Sequence, residues 1–235
     1  MRPKYNVDYI SQQPAGHGVH ITVYADPLCC WSWAMQPVLT EVKKELGKKA
    51  RWELKMCGLI SSWSNFHDEV NSISRPAQMG PLWMHAGHIA NRSIQHQVWV
   101  NDPPTTSYPA CVAVKSVQLQ SPELGEVYFK LLTDTCMGEG RNIARQSVLF
   151  DIAKQLALDV PGFDFRKFED DYKGNNGMDA FRSDLAEVHK YNINRFPTLI
   201  IRAGDDRAIS ISGYHNYAAI MEAIETLVPG IAVEQ

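Results

Sequence analysis

The stretch Val19-His20-Ile21-Thr22-Val23-Tyr24-Ala25-Asp26-Pro27-Leu28-Cys29-Cys30-Trp31-Ser32-Trp33 decides how this chain folds. Residues 19–24 are β-branched or aromatic apart from His20, the composition of a strand. Ala25-Asp26-Pro27-Leu28 breaks it. From Cys29 to Leu46 the apolar residues Met35, Val38, Leu39, Val42 and Leu46 recur at helical spacing. Pro37 is placed to kink that helix, and Gly47 to end it. Residues 51–56 (RWELKM) alternate charged and apolar side chains and read as a second strand. A helix of this length between two strands suits a right-handed crossover and a parallel pair.

Working outward, strand signals become sparse between His67 and His189. Helical patterns cover 83–94, 110–120, 123–136, 146–156, 163–172 and 179–191. The last two are parted by the turn-like Gly174-Asn175-Asn176-Gly177, and 101–104 is a loop. Strands return at 197–202 and 208–212, with a tight turn at Gly204-Asp205-Asp206 making a hairpin. A final helix over 216–227 carries Ile220, Ile224 and Leu227 on one face and stops at Pro229-Gly230. The order is β-α-β, a helical block, then β-β-α. This predicts an α/β chain with a thioredoxin-like core and an inserted all-helical domain. The expected division is 1–14 as an N-terminal extension, 15–64 and 190–230 as the core, and 65–189 as the insertion.

Composition narrows the function. The chain has 235 residues, 45% of them hydrophobic, enough for a large core. Its 23 basic and 26 acidic side chains give a net charge of −3 with no basic stripe, which speaks against nucleic acid as a partner. No apolar run approaches the ~20 residues of a membrane span. Residues 1–20 are polar and lack the apolar region of a secretory signal, so the expected place is the cytoplasm, without membrane attachment. Five cysteines, an odd number, do not make a disulfide framework, and thiols in the cytoplasm stay reduced.

The chemical signal lies at the first strand–helix junction. A thiol at a helix start meets unpaired N–H groups and the positive end of the helix dipole. Both favour the thiolate, which is the nucleophile, so Cys29 is expected to titrate below the free value of about 8.5. Ser32, three residues on, shares its face and can donate to the sulfur. Cys30 is not a resolving partner: adjacent Cα atoms are about 3.8 Å apart, below the usual disulfide range of about 4.4–6.8 Å. Trp31 is open between substrate stacking and packing, whereas Trp33 is expected in the core. His85 and His88 have a ligand-like spacing but no convincing third partner, so no metal is expected. Cys57, Cys111 and Cys136 sit among apolar neighbours and read as buried filler. Asn101–Pro104 and Ser107-Tyr108 are placed at the rim of the cleft.

These residues resemble a known family. ITVYADPLCCWSW (21–33) looks like the active-site segment of the DsbA-like thioredoxin superfamily, especially its cytoplasmic FrnE-like branch, which reads D-P-x-C-x-W-C-W. YNINRFPTLI (191–200) resembles the cis-proline loop, and SYPACVAVKSVQLQ and FRSDLAEVHK extend the likeness over about residues 19–228. The resemblance implies that Cys29 is the attacking cysteine and that Pro197 is the cis-proline. It also implies that Phe196 offers its backbone to an extended peptide or to glutathione. With Trp31, Phe196 and Cys30 as candidate substrate contacts, the site is Cys29, Ser32 and Pro197. The chain departs from the family at Ser32, where the second cysteine stands, so dithiol oxidation is not expected.

Three functions follow as expectations. The first is a thiol–disulfide oxidoreductase or isomerase working through Cys29 alone on a disulfide-bearing protein, a peptide or glutathione. It has no tightly bound cofactor, and glutathione serves as co-substrate. The second is a glutathione-dependent isomerase or transferase, as in the related kappa-class transferases, which lack the second cysteine. The third is a non-catalytic adaptor that binds a partner peptide in the cis-proline groove.

Overall fold

The β-branched run Val19–Ala25 forms β1 and pairs in parallel with β2 (Ala50–Met56), in register from Val19 opposite Ala50 to Ala25 opposite Met56. The crossover between them is α1 (Cys30–Leu46), which continues through Pro37 and ends at Gly47. Gly47 has φ +49 and ψ −125, a positive-φ conformation that glycine adopts freely, and its N–H donates to the Lys43 carbonyl. The computed structural model describes residues 18–204 and 207–231. The expected N-terminal extension, 1–14, and the turn residues Asp205-Asp206 lie outside the described residues.

A block of helices follows β2: α2 (Met79–Ile89), α3 (Val98–Asn101), α4 (Tyr108–Gln118), α5 (Pro122–Thr133), α6 (Gln146–Asp159), α7 (Phe165–Lys173) and α8 (Asn176–Lys190). The chain then returns as β3 (Thr198–Ala203), β4 (Ala208–Ser212) and α9 (Tyr217–Leu227). Among the described residues the strands form one sheet in the order β2-β1-β3-β4, with β3 antiparallel to both of its neighbours. The architecture is the expected thioredoxin-like core with helices inserted between β2 and β3.

The boundaries differ from expectation for local reasons. The helix expected over 83–94 starts earlier, at Met79, and stops at Ile89, just before Asn91 at φ +49. The helix expected to end at Cys136 passes into a π-helical turn, Asp134–Gly138. The short helix α3 falls where part of the 101–104 loop was read. α8 begins at Asn176, inside the expected turn, because Gly177 serves packing rather than turning. A Cβ there would lie 2.2 Å from the Ser116 hydroxyl of α4, so glycine lets the two helices close on each other.

One apolar cluster joins core and insertion, running from Ile21, Val23 and Met56 to Trp83, Val114 and Phe181. A smaller cluster of Tyr24, Cys57, Val188 and Ile200 lies on the other side of the sheet, with Phe196 at its edge. Here α8 is tied down by charge. Asp184, 2% exposed, accepts from the Met56 N–H at 2.9 Å and meets Lys115 Nζ at 2.8 Å and Lys55 Nζ at 3.5 Å. Glu187, one turn on, pairs with Lys55 and accepts from the Tyr24 hydroxyl.

Removing one member of a buried charged network leaves the others uncompensated, at a cost of about 3–5 kcal/mol. Asp184→Ala strands the Lys115 ammonium and the Met56 N–H together. It should lower unfolding free energy by about that amount in urea titrations. A loss under about 1 kcal/mol would mean that apolar packing alone seats the insertion on the sheet.

Candidate active site

The local sequence dictates the turn that holds the thiol. Asp26, the residue after β1, folds its side chain back so that Oδ1 accepts from the Leu28 N–H at 2.8 Å, and its carbonyl accepts from the Cys29 N–H at 3.0 Å. Such an aspartate turn ends a strand and points the next residues into a helix. Cys29 therefore becomes the N-cap of α1, with extended backbone at φ −83 and ψ 110. Across the sheet, Tyr24 pairs with Thr198, which brings the preceding Phe196–Pro197 bond beside this turn. That bond is cis, and Pro197 is buried. Cys29 Sγ donates to the Phe196 carbonyl at 3.5 Å. The Pro197 carbonyl in turn accepts from the Gly213 N–H at 2.7 Å, which pins the loop to the end of β4.

Cys29, Ser32, Phe196 and Pro197 thus meet at one point. Ser32 is 3% exposed; its hydroxyl and its N–H reach the Cys29 sulfur, as does the Trp31 N–H. The Asp26 N–H donates to Ser32 Oγ at 3.4 Å.

The protonation state reverses the expectation from helix geometry. Burial pushes the Cys29 thiol up to about 11, against the pull of the Ser32 hydroxyl and the helix-start N–H groups, and the Asp26 charge adds to the rise. Cys29 is 5% exposed, and its thiol proton is given to a carbonyl oxygen, a contact a thiolate cannot keep. All five cysteines are free thiols. Burial lifts Cys136 to about 12, and it lifts Cys30, Cys57 and Cys111 well above the usual thiol value.

Sequence reading missed Asp26 as a site residue. It is fully buried, and burial raises its carboxyl above the ordinary range despite the groups that donate to it. Oδ2 accepts from the Leu59 N–H at 2.7 Å and from the Cys111 thiol at 3.4 Å. Cys111, read as filler, is a donor to the acid beneath the site. An aspartate at a strand end before proline signals the turn; nothing local signals partners from β2's exit or from α4.

Cys30, named as a substrate contact, is 2% exposed and packs in the main core, so it is not brought to the cleft. Trp33 is in the core, with its indole N–H donating to Asp134 Oδ1 at 3.0 Å and the Arg92 guanidinium 3.9 Å over its ring. Trp31 is half-buried, in ring contact with His85 and Tyr214. His88, but not His85, lines a depression of about 420 Å³. No group of three or more His, Cys, Asp or Glu among the described residues is placed to hold a metal. Ser107 is not at a rim: it is fully buried, and its hydroxyl accepts from the Ile60 N–H at 3.2 Å. Asp102 is engaged by Arg145 and Asn142.

A four-stranded sheet with a cysteine at the first strand–helix junction, facing a cis-proline, defines a thioredoxin-like protein. The family profile described as thioredoxin matches residues 23–222, and the chain belongs to that family. Among curated proteins it is similar to the ClpXP adapter protein SpxH of Halalkalibacterium halodurans, 24% identical over 87% of this chain and 67% of that protein. Its fold resembles that of the cytosolic disulfide reductase DsbM from Pseudomonas aeruginosa, with a TM-score of 0.64 at 18% identity over 82% of this chain and 89% of the other. DsbM has also been solved with GSH. The oxidoreductase NmDsbA1 from N. meningitidis has a TM-score of 0.58 at 12% identity over 97% of this chain and 91% of the other. Among the described residues, no helix is long and apolar enough to cross a membrane.

Two outcomes are expected. Alkylation of Cys29, followed by mass mapping, should rise about tenfold per pH unit above neutrality until the thiol ionises near pH 11; a plateau by pH 8 would contradict the burial argument. Folding raises the Asp26 pKa, so the folded state keeps a proton that the unfolded chain releases. The stabilisation is complete below the ordinary carboxylate value and is lost as pH rises through the folded value. Asp26→Asn should therefore flatten the decline of stability with rising pH, read from urea midpoints, and should move the Cys29 alkylation curve to lower pH.

Proposed function

We propose that this protein exchanges thiols and disulfides through Cys29 as a single nucleophile. The observation that carries the reading is the 3.5 Å contact from Cys29 Sγ to the Phe196 carbonyl beside cis-Pro197, with Ser32 reaching the same sulfur. The Phe196 carbonyl is the acceptor that an extended substrate backbone would use. A substrate N–H taking that oxygen displaces the Cys29 thiol as donor. The sulfur then turns to the N–H groups of Trp31 and Ser32 and to the Ser32 hydroxyl, which favour the thiolate.

The thiolate attacks one sulfur of the substrate disulfide. A bond forms from Cys29 to that sulfur, and the other sulfur leaves as a thiol carrying the proton. Ser32 has no thiol with which to resolve the mixed disulfide, so an external thiol such as glutathione attacks it and restores Cys29. Reduction of a substrate consumes two such thiols and yields their disulfide. The partners are a disulfide-bearing protein, a peptide or glutathione, and the setting is the cytoplasm. DsbM, the cytosolic reductase of similar fold, supports both the glutathione and the cytoplasmic reading.

A second reading is an adaptor that holds a partner peptide in the cis-proline groove without chemistry. The raised Cys29 thiol and the absence of a second cysteine at position 32 favour it, and so do the relatives named ClpXP adapter protein SpxH.

Incubation with glutathione disulfide separates the two. The exchange reading expects a mixed disulfide on Cys29 that persists until a second thiol is added. It also expects Ser32→Cys to close a disulfide with Cys29 and to raise dithiothreitol-driven insulin reduction by about tenfold or more. No adduct on Cys29 after prolonged incubation at pH 9, with partner binding kept in Cys29→Ala, would establish the adaptor.

A further inference from the structure

Trp31, the second residue of α1, touches rings from two other parts of the chain. His85, exposed on α2 in the helical block, stands edge-on to it with centroids 5.5 Å apart and planes at 79°. Tyr214, half-buried just beyond β4, lies tilted against it at 6.0 Å and 45°. The rings that fill the core are far more enclosed: Trp33, Trp83 and Trp99 are at most 1% exposed.

The position of Tyr214 follows from the backbone. Gly213 has φ +88, a left-handed conformation suited to glycine, and its N–H donates to the Pro197 carbonyl at 2.7 Å. Tyr214 therefore leaves the sheet beside the cis-proline. Trp31 is two residues from Cys29. The strip Tyr214–Trp31–His85 runs from the cis-proline, past the thiol, onto the insertion. Trp31 and Tyr214 pack against the core on one side and are only half-buried, and His85 is exposed, so the strip keeps open ring surface that another ring fits in edge-to-face or offset geometry.

We infer that Trp31, His85 and Tyr214 form a clamp for an aromatic side chain next to the reacting cysteine of a polypeptide substrate. Through His85, the helical block takes part in choosing the substrate. This rests on Cys29 being the attacking thiol. Small disulfides lack the side chain the clamp holds and gain nothing from it.

The test uses two hexapeptides, each carrying glutathione in disulfide linkage on its single cysteine, with phenylalanine or glycine immediately before that cysteine. Cys29 forms a disulfide with one sulfur of the probe, and the other leaves as a thiol. The native protein should consume the phenylalanine peptide about tenfold faster, the scale of one or two aromatic contacts. His85→Ala and Tyr214→Ala should each bring the ratio below threefold, whereas His85→Phe, which keeps a ring, should retain it. A native ratio near one, or a ratio unchanged in both alanine variants, overturns the clamp and leaves the rings as struts between α1 and α2. If neither peptide reacts, the exchange reading fails by itself. Calorimetry of the unmodified peptides with Cys29→Ser then decides the clamp: tighter binding of the phenylalanine peptide upholds it, and equal binding overturns it.

Discussion

The site is organised around one buried carboxylate. Asp26 takes the Leu28 N–H on one oxygen, and the Leu59 N–H and the Cys111 thiol on the other. Those donors come from the turn into α1, from the exit of β2 and from the first turns of α4. A carboxylate taken fully out of water has to be met by donors on every side. Satisfying it therefore fixes three segments relative to each other. Cys29 is held within that arrangement: its N–H donates to the Asp26 carbonyl at 3.0 Å and its thiol to the Phe196 carbonyl at 3.5 Å.

Burial and helix geometry oppose each other at the sulfur, and burial wins at rest. Helix-start N–H groups surround Cys29, but they act over a turn, whereas exclusion of water acts on the whole charge. The outcome is a thiol held in its protonated form, donating to the Phe196 carbonyl. Under the proposed thiol exchange, reactivity is then conditional on occupancy of the groove.

Much of the fold was legible because it is written in local periodicity. The parallel β1–β2 pair, the β3–β4 hairpin, the crossover helix and most of the inserted helices can be read from local sequence; the β1–β3 pairing that joins the two halves cannot. Cys29 and Pro197 stand in short segments whose chemistry is visible without a structure. What escaped has a common cause. Gly177 looks like a turn residue until Ser116 is found against it, and Cys111 looks inert until Asp26 is found beneath it. The sign of the Cys29 shift failed for the same reason: desolvation is a property of everything packed around an atom, and no spacing rule counts it. His85 and Tyr214 lie far from Trp31 in sequence, and their meeting depends on how α2 and the β4–α9 connection are seated.

The helical block leaves the sheet through Cys57–Leu59 and re-enters it through Arg195–Pro197. The first of these roots is bonded to Asp26, and the second holds the carbonyl that receives the Cys29 proton. Covalently, the block is hinged to the rest of the molecule only at the two points that frame the sulfur. Along the chain, those two segments are the routes by which a displacement of the helices reaches the sheet.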